Sequence, residues 1–362
     1  MKVILNGATA GTNFGDFLFA QMFQDFVSSK IGAENVYWYR TKYSMSEFFS
    51  KRLGNKNNDS LGKMDALVYI SGGYFCGNDK NLRDYAFRFL RYFTIGLKCI
   101  VRRIPIAIVG LEVSEPKSRM IKLIEKAILK RAKLIVVRNR ESVECLNSYG
   151  ISNVIESVDS AFVVEPSLFE SKSIPSEIEN CENKILLFHI NPSISSNADL
   201  KSKIIPILNE FFKNHPEYAV LVLADQYSLE LENALEDVSS QLICEKKIKY
   251  VYDDPMALCK VIEKVDTIVT HKLHVGLIGA KLGKSVISFS GHTEKIQRLY
   301  NQLGESGRSV SLQTLNFAEG CRIIEEFHDK KITVSDDIVR KSQSNFGYLE
   351  DFLSDIERKK QI

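Results

Sequence analysis

The residues best suited to chemistry lie between Thr270 and Lys295. Thr270-His271-Lys272-Leu273-His274 is followed by a helix-like run, then by Gly283-Lys284-Ser285 and by Lys295. The ammonium groups of Lys272 and Lys295 can pair with a small, multiply charged anion, and the imidazole of His274 can move a proton near neutral pH. The local pattern positions them. Residues 266–270 (DTIVT) form a β-branched run that stops just before the basic cluster. Val275, Leu277, Ile278 and Leu282 then recur at helical spacing, and Gly283 closes the helix before the strand-like 286–289. His271, Lys272 and His274 therefore fall at the carboxyl end of a strand and the start of a helix, where free backbone N–H groups already favour negative charge. A helix N-terminus disfavours a protonated imidazole and a bound phosphate favours it, so His274 would become an acid only with ligand present. His271 is a second-tier candidate, because on a strand it points to the opposite face from Lys272.

Other candidates sit at strand ends elsewhere. The loop 7–16 (GATAGTNFGD) follows a first strand, and its glycines allow close approach of backbone to ligand. Asp16 can cap the following helix. This is not the G-x-G-x-x-G dinucleotide fingerprint, and the strand ending at Tyr39 is followed by Arg40 rather than by a ribose-binding acid. Ser71-Gly72-Gly73-Tyr74 follows a third strand and reads as a turn, with or without a ligand against it. Arg138 closes the strand 134–137, and its guanidinium fork matches phosphate or carboxylate. An ion pair with Glu141 is the plainer role, and it suits Arg140 better. Asp159 lies in Ser157-Val158-Asp159-Ser160-Ala161-Phe162, where a hinge or cap is as reasonable as chemistry. Glu112 is a strand-end carboxylate without an assigned role.

Taken in order, these segments resemble the polysaccharide pyruvyl transferase family. Lys272-Leu273-His274 is similar to its Arg-Leu-His, Gly283-Lys284-Ser285 to its Gly-x-Pro, and His292 with Lys295 to its aromatic and lysine. Asn13-Phe14-Gly15-Asp16 resembles its Asn-x-Gly-Asp, Ser71-Gly72-Gly73 its glycine turn, Val137-Arg138 through Ser142 its Arg-x-x-x-Ser, and Asp159-Ser160-Ala161-Phe162 its Asp-Pro-Ala-Phe. The departures fall at Tyr74, where the family has a third glycine, at Lys272, where charge is kept but the bidentate fork is lost, and at His292.

The resemblance implies transfer of a pyruvyl group from phosphoenolpyruvate to two hydroxyls of a sugar, giving a cyclic ketal and phosphate. On that expectation His274 is the general acid and Asp16 takes a proton from the acceptor. Arg138, Lys272, Lys295 and His271 hold the donor. Asn13, Gly15, Gly72, Gly73, Tyr74 and Asp159 face a saccharide of a surface polysaccharide, expected on a lipid carrier. No cofactor or metal is called for. A nucleotide-sugar glycosyltransferase is the alternative, although 270–310 offers only Glu294 and Glu305 as acids and no paired arrangement. A non-catalytic scaffold in polysaccharide assembly is the third reading, and the departures at Tyr74, Lys272 and His292 keep it open.

The elements that must carry these residues alternate. Strand-like runs at 3–6, 36–39, 66–70, 106–109 and 134–137 are separated by helical runs near 16–30, 45–53, 83–101, 117–131 and 140–148. The rhythm restarts with strands at 184–190, 219–223, 248–251, 267–270 and 286–289. This is an α/β pattern. The chain's 362 residues exceed what one core usually serves. The expected architecture is two doubly wound Rossmann-like domains facing a cleft, glycosyltransferase type B-like. Their expected limits are 1–165 (acceptor side), a polar linker at 166–183, 184–330 (donor side), and a helical segment at 331–362 packing back on the first domain.

A net charge of +3 argues against nucleic acid as a partner, and seven cysteines without a C-x-x-C pair argue for a reducing, cytoplasmic setting. One stretch stands apart. Residues 80–103 carry seven basic groups against Asp84 alone, interleaved with aromatics, so this helix could lie on the anionic inner face of the cell membrane. An amphipathic helix packed on the sheet with a solvated basic side explains the same pattern.

Overall fold

The computed structural model describes residues 1–39, 44–53, 64–76, 81–291 and 293–361. It divides into two compact units. The first is Met1–Thr12, Asp16–Val163 and Asp337–Ile362, and the second is Asn13–Gly15 and Val164–Asp336. Arg40, Lys80 and His292 lie outside the described residues.

The first unit holds a sheet of β1 (Val3–Asn6), β2 (Val36–Trp38), β3 (Ala66–Tyr69), β4 (Gly72–Phe75), β5 (Ile106–Val113), β6 (Leu134–Val137) and β7 (Ile155–Glu156). Its order is β2-β1-β3-β5-β6-β7, with β4 beside β5, and every pairing is parallel. Such a sheet must be covered on both faces, which is why β5 is buried at all eight positions. Ile121, Ile128 and Leu129 of the helix Arg119–Arg131 join Ile108, Ile135 and Val137 in its core.

The second unit repeats the plan with β8 (Lys184–Ile190), β9 (Tyr218–Ala224), β10 (Lys247–Val251), β11 (Thr267–Thr270), β12 (Ser285–Ser290) and β13 (Ser309–Ser311), again all parallel. The order β10-β9-β8-β11-β12-β13 reverses direction between β8 and β11. That reversal is the topological switch point, where open α/β sheets leave a crevice at the carboxyl ends of their strands. Leu186, Phe188, Val220 and Val222 pack under Ile207, Leu208 and Phe211 of the helix Ile205–Asn214.

Two doubly wound units were expected and are present. The short strands β4, β7 and β13 were not expected. β4 corrects the reading of Ser71-Gly72-Gly73 as a simple turn, since the glycines enter a strand whose pairing with β5 is irregular. Residues 166–183 belong to the second unit, with Phe169 and Ile178 buried in it. The terminal helix Asp336–Gln361 is tied to the first unit by Ser342 Oγ and Asn345 Nδ2, which donate to the carbonyls of Asp159 (2.9 Å) and Val158 (3.0 Å). Among the described residues, no helix is long and apolar enough to cross a membrane.

Candidate functional site

β11 delivers its last residues to the switch point of the second unit. The helix Leu273–Lys281 starts immediately afterwards, with Lys272 at its N-cap. A lysine has no oxygen to offer the first-turn amides, and no side-chain cap bond is made there. The N-cap side chain therefore does not cover the leading N–H groups of this helix.

Around them stands a network from adjacent strands. Lys272 Nζ lies 2.5 Å from Asp225 Oδ1, just past the end of β9. His189, in β8, approaches the same carboxylate through Nε2 at 3.1 Å and meets the Thr270 hydroxyl through Nδ1 at 2.9 Å. An ionised carboxylate only accepts, so His189 carries its proton on Nε2 and takes the Thr270 proton on Nδ1. Asn13 Nδ2 donates to Asp225 Oδ2 (3.3 Å), and the Phe14 amide donates to the Asp225 carbonyl (2.8 Å).

His271 stacks on His189 with ring centroids 4.5 Å apart. Its Nδ1 donates to the His189 carbonyl (3.1 Å), and its Nε2 meets the Asn191 side chain at 3.1 Å. Asn191 is itself fixed by the buried Asn197, whose Oδ1 accepts from the Asn191 amide (3.0 Å).

The electrostatics follow from burial and pairing. Burial alone would push the Asp225 carboxyl up, but the Lys272 ammonium and then His189 overcome it and hold the group well below the usual carboxylate range. Burial pushes His189 down, against the pull of Asp225. It pushes His271 down as well, reinforced by His189 and Lys272. Both imidazoles are therefore neutral near pH 7, and Lys272 is already matched to one buried carboxylate.

His274 is the second residue of this helix and lies against the backbone of Gly15. A Cβ built at Gly15 would come within 2.0 Å of His274 Nδ1. Only glycine lets the chain pass there. Gly15 is held by its amide, which donates to Asn13 Oδ1 (3.0 Å). Asn13 and Gly15, expected on the acceptor side, thus belong to the cluster of Lys272 and His274. Lys295 is half-buried on the neighbouring helix Thr293–Gln302.

The remaining expected residues lie in the first unit and form two groups. Asp16, Gly73 and Tyr74 line a cavity of 510 Å³ together with Arg88, Arg91 and Tyr92. Tyr74 is buried, donates its hydroxyl to the Ile70 carbonyl (2.6 Å) and stacks on Tyr92 at 4.5 Å. Gly72 is needed beside it, because a Cβ there would meet the Tyr74 ring at 2.8 Å.

The second group is a buried ion triad. Arg138 bonds Asp159 Oδ2 at 2.9 Å through Nη1 and Glu112 through Nη2, and all three side chains are at least nine-tenths buried. Arg138 was expected to grip the donor and Asp159 the acceptor. In the structure both sides of the fork are bonded to carboxylates of the first unit. Arg140 makes surface pairs with Glu144 and Glu156.

Residues 13–293 match the family model described as polysaccharide pyruvyl transferase. The chain belongs to that family. A comparison with curated proteins finds no match. Among solved structures it is similar to the UDP-GlcNAc 2-epimerase of Neisseria meningitidis bound to UDP-GlcNAc, at 14% identity and TM-score 0.63, covering 96% of this chain and 99% of that one. It is similar to the UDP-GlcNAc 2-epimerase of Methanocaldococcus jannaschii, at 11% identity and TM-score 0.63, covering 98% and 100%. It also resembles MurG of Acinetobacter baumannii, at 11% identity and TM-score 0.54, covering 98% and 100%. At such identities the likeness establishes the fold, which is that of glycosyltransferase type B enzymes.

Two members of the Lys272 cluster were missed from sequence, Asp225 and His189. Asp225 ends a continuous apolar strand (YAVLVLA), and His189 interrupts another (KILLFHI). An ionisable residue at such a position was the available signal, because burial there demands a partner.

Proposed function

We propose that this transferase takes phosphoenolpyruvate as donor and forms a cyclic pyruvate ketal on a saccharide of a surface polysaccharide or its lipid-linked precursor, with release of phosphate. The observation that carries the reading is Lys272, His271 and His274 gathered at the switch point, at the start of a helix whose N-cap is Lys272. A three-carbon donor with a carboxylate and a phosphate suits such a combination of helix dipole, ammonium group and imidazoles in a partly dry site.

In the proposed reaction His274 protonates the methylene carbon, and positive charge develops at the carbon bearing phosphate. One sugar hydroxyl adds there, the C–O bond to phosphate breaks, and the second hydroxyl closes the ring. Of the two hydroxyl protons, one replaces the proton that His274 gave to the methyl group, and the other leaves with phosphate. Lys272 and Lys295 hold the donor's charge. Asp225 keeps Lys272 extended, and His271 bounds the site as a neutral ring. The acceptor is assigned to the cavity of Asp16, Gly73 and Tyr74, where aromatic faces and a carboxylate suit a sugar, and Asp16 takes the acceptor's proton. Arg138 is assigned a positioning role at the end of β6. Cytoplasmic placement at the inner membrane face remains part of the proposal. It rests on exposed Leu82 and Val101 at the two ends of the basic stretch, although Arg88 turns inward to Glu125.

The test is incubation with phosphoenolpyruvate and a panel of free and lipid-linked saccharides, scored for inorganic phosphate and for pyruvyl mass on the sugar. Nucleoside diphosphate released from UDP-sugars instead would support the glycosyltransferase reading that the structural likeness allows.

A further inference from the structure

A second cluster stands at the other end of the same sheet. His215 follows the helix Ile205–Asn214, Glu325 lies in the helix Phe317–Phe327, His328 follows that helix, and Tyr218 opens β9. These residues gather where the parallel strands begin, whereas Lys272 and Asp225 stand where they end.

His215 Nε2 lies 3.0 Å from Glu325 Oε2, and one ligand atom each from His215, Glu325 and His328 falls within 4.8 Å of the others. Two ligands bound tetrahedrally to zinc stand roughly 3.3 Å apart, from bonds of about 2.0–2.1 Å. The outer ring nitrogens have the partners that metal-bound histidines use. His215 Nδ1 is 3.3 Å from Glu217 Oε1, and His328 Nδ1 is 3.2 Å from the Tyr218 hydroxyl. In His215 the other ring nitrogen, Nε2, is the one that faces Glu325. Phe211 stacks on His215 at 4.4 Å and fixes its plane. The hydroxyls of Thr267 and Ser285 donate to the carbonyls of His328 and Phe327, anchoring the helix end to β11 and β12.

We propose that His215, Glu325 and His328 bind one divalent transition-metal ion, zinc by its donor set, which clamps the ends of two helices to the base of β9. Sequence spacing could not reveal the site, because its members come from helices separated by β9 to β13.

Calorimetric titration of the chelator-treated full chain with Zn²⁺ should give one site whose affinity falls at least about tenfold in Glu325→Gln and in His328→Gln. Glu325 is exposed, so Glu325→Gln keeps the fold whatever His328→Gln does. Co²⁺ in place of zinc should give visible d–d absorption without a thiolate charge-transfer band, which separates this site from the seven cysteines. Absence of Zn²⁺ binding, binding unchanged in Glu325→Gln, or a thiolate band for the bound Co²⁺ would each overturn the assignment.

Discussion

At the scale of single residues, the functional reading stands on His274 and the neutral imidazoles beside it. Replacing His274 by Gln should lower phosphate release from phosphoenolpyruvate at least about 100-fold while the thermal midpoint stays near wild type. Turnover close to normal would remove His274 from the reaction. His189 and His271 supply a pH signature. Their imidazoles are held below the ordinary value near 6.5 in the folded chain, so the unfolded chain binds more protons once pH drops beneath it. Stability is therefore full above about pH 6.5 and declines as pH falls through the window below it. Asp225 does not interfere there. Its depressed carboxyl contributes stability that is lost only at much lower pH. Thermal midpoints measured from pH 7.5 down to about 5 should fall, and His271→Gln should flatten the slope. An unchanged slope would mean that His271 is solvated rather than buried.

At the scale of elements, two local arrangements decide whether the site is held. Gly15 passes against His274 with no room for a Cβ, so Gly15→Ala must displace the ring or the helix start. A shift of about 1 Å at a catalytic group can cost on the order of 100-fold in rate. Steady-state kinetics of Gly15→Ala should show that loss in kcat with circular dichroism unchanged. Arg138 makes the opposite kind of prediction. Arg138→Leu leaves Glu112 and Asp159 buried without their cation, which should destabilise the first unit by roughly 3–5 kcal/mol in denaturant unfolding. A stable Arg138→Leu protein with weakened phosphoenolpyruvate binding would return Arg138 to the donor site.

For the whole molecule, the alternation of apolar runs and amphipathic runs made both Rossmann-like units legible, because parallel strands buried on two faces read as continuous hydrophobic stretches. β11 and the helix Leu273–Lys281 were recovered almost to the residue. What the sequence hid were long-range pairings. Nothing near Arg138 announces Glu112 and Asp159 as its partners, and nothing near Lys272 announces Asp225. The assignment of Asn13 and Gly15 changed for the same reason, since their contacts come from residues after β9 and β11. β4 escaped because Gly72 and Gly73 lack the side chains on which strand propensity depends.

The central claim is that the switch point of the second unit grips phosphoenolpyruvate, and the most direct measurement is calorimetric titration of that compound into the wild type, Lys272→Met, and the charge-balanced double variant Lys272→Met with Asp225→Asn. The double variant separates loss of a ligand contact from the effect of an unpaired buried carboxylate. Saturable binding to the wild type that is lost in both variants is the predicted result. Absence of phosphoenolpyruvate binding to a folded wild-type chain, or binding that survives intact in the double variant, would contradict it.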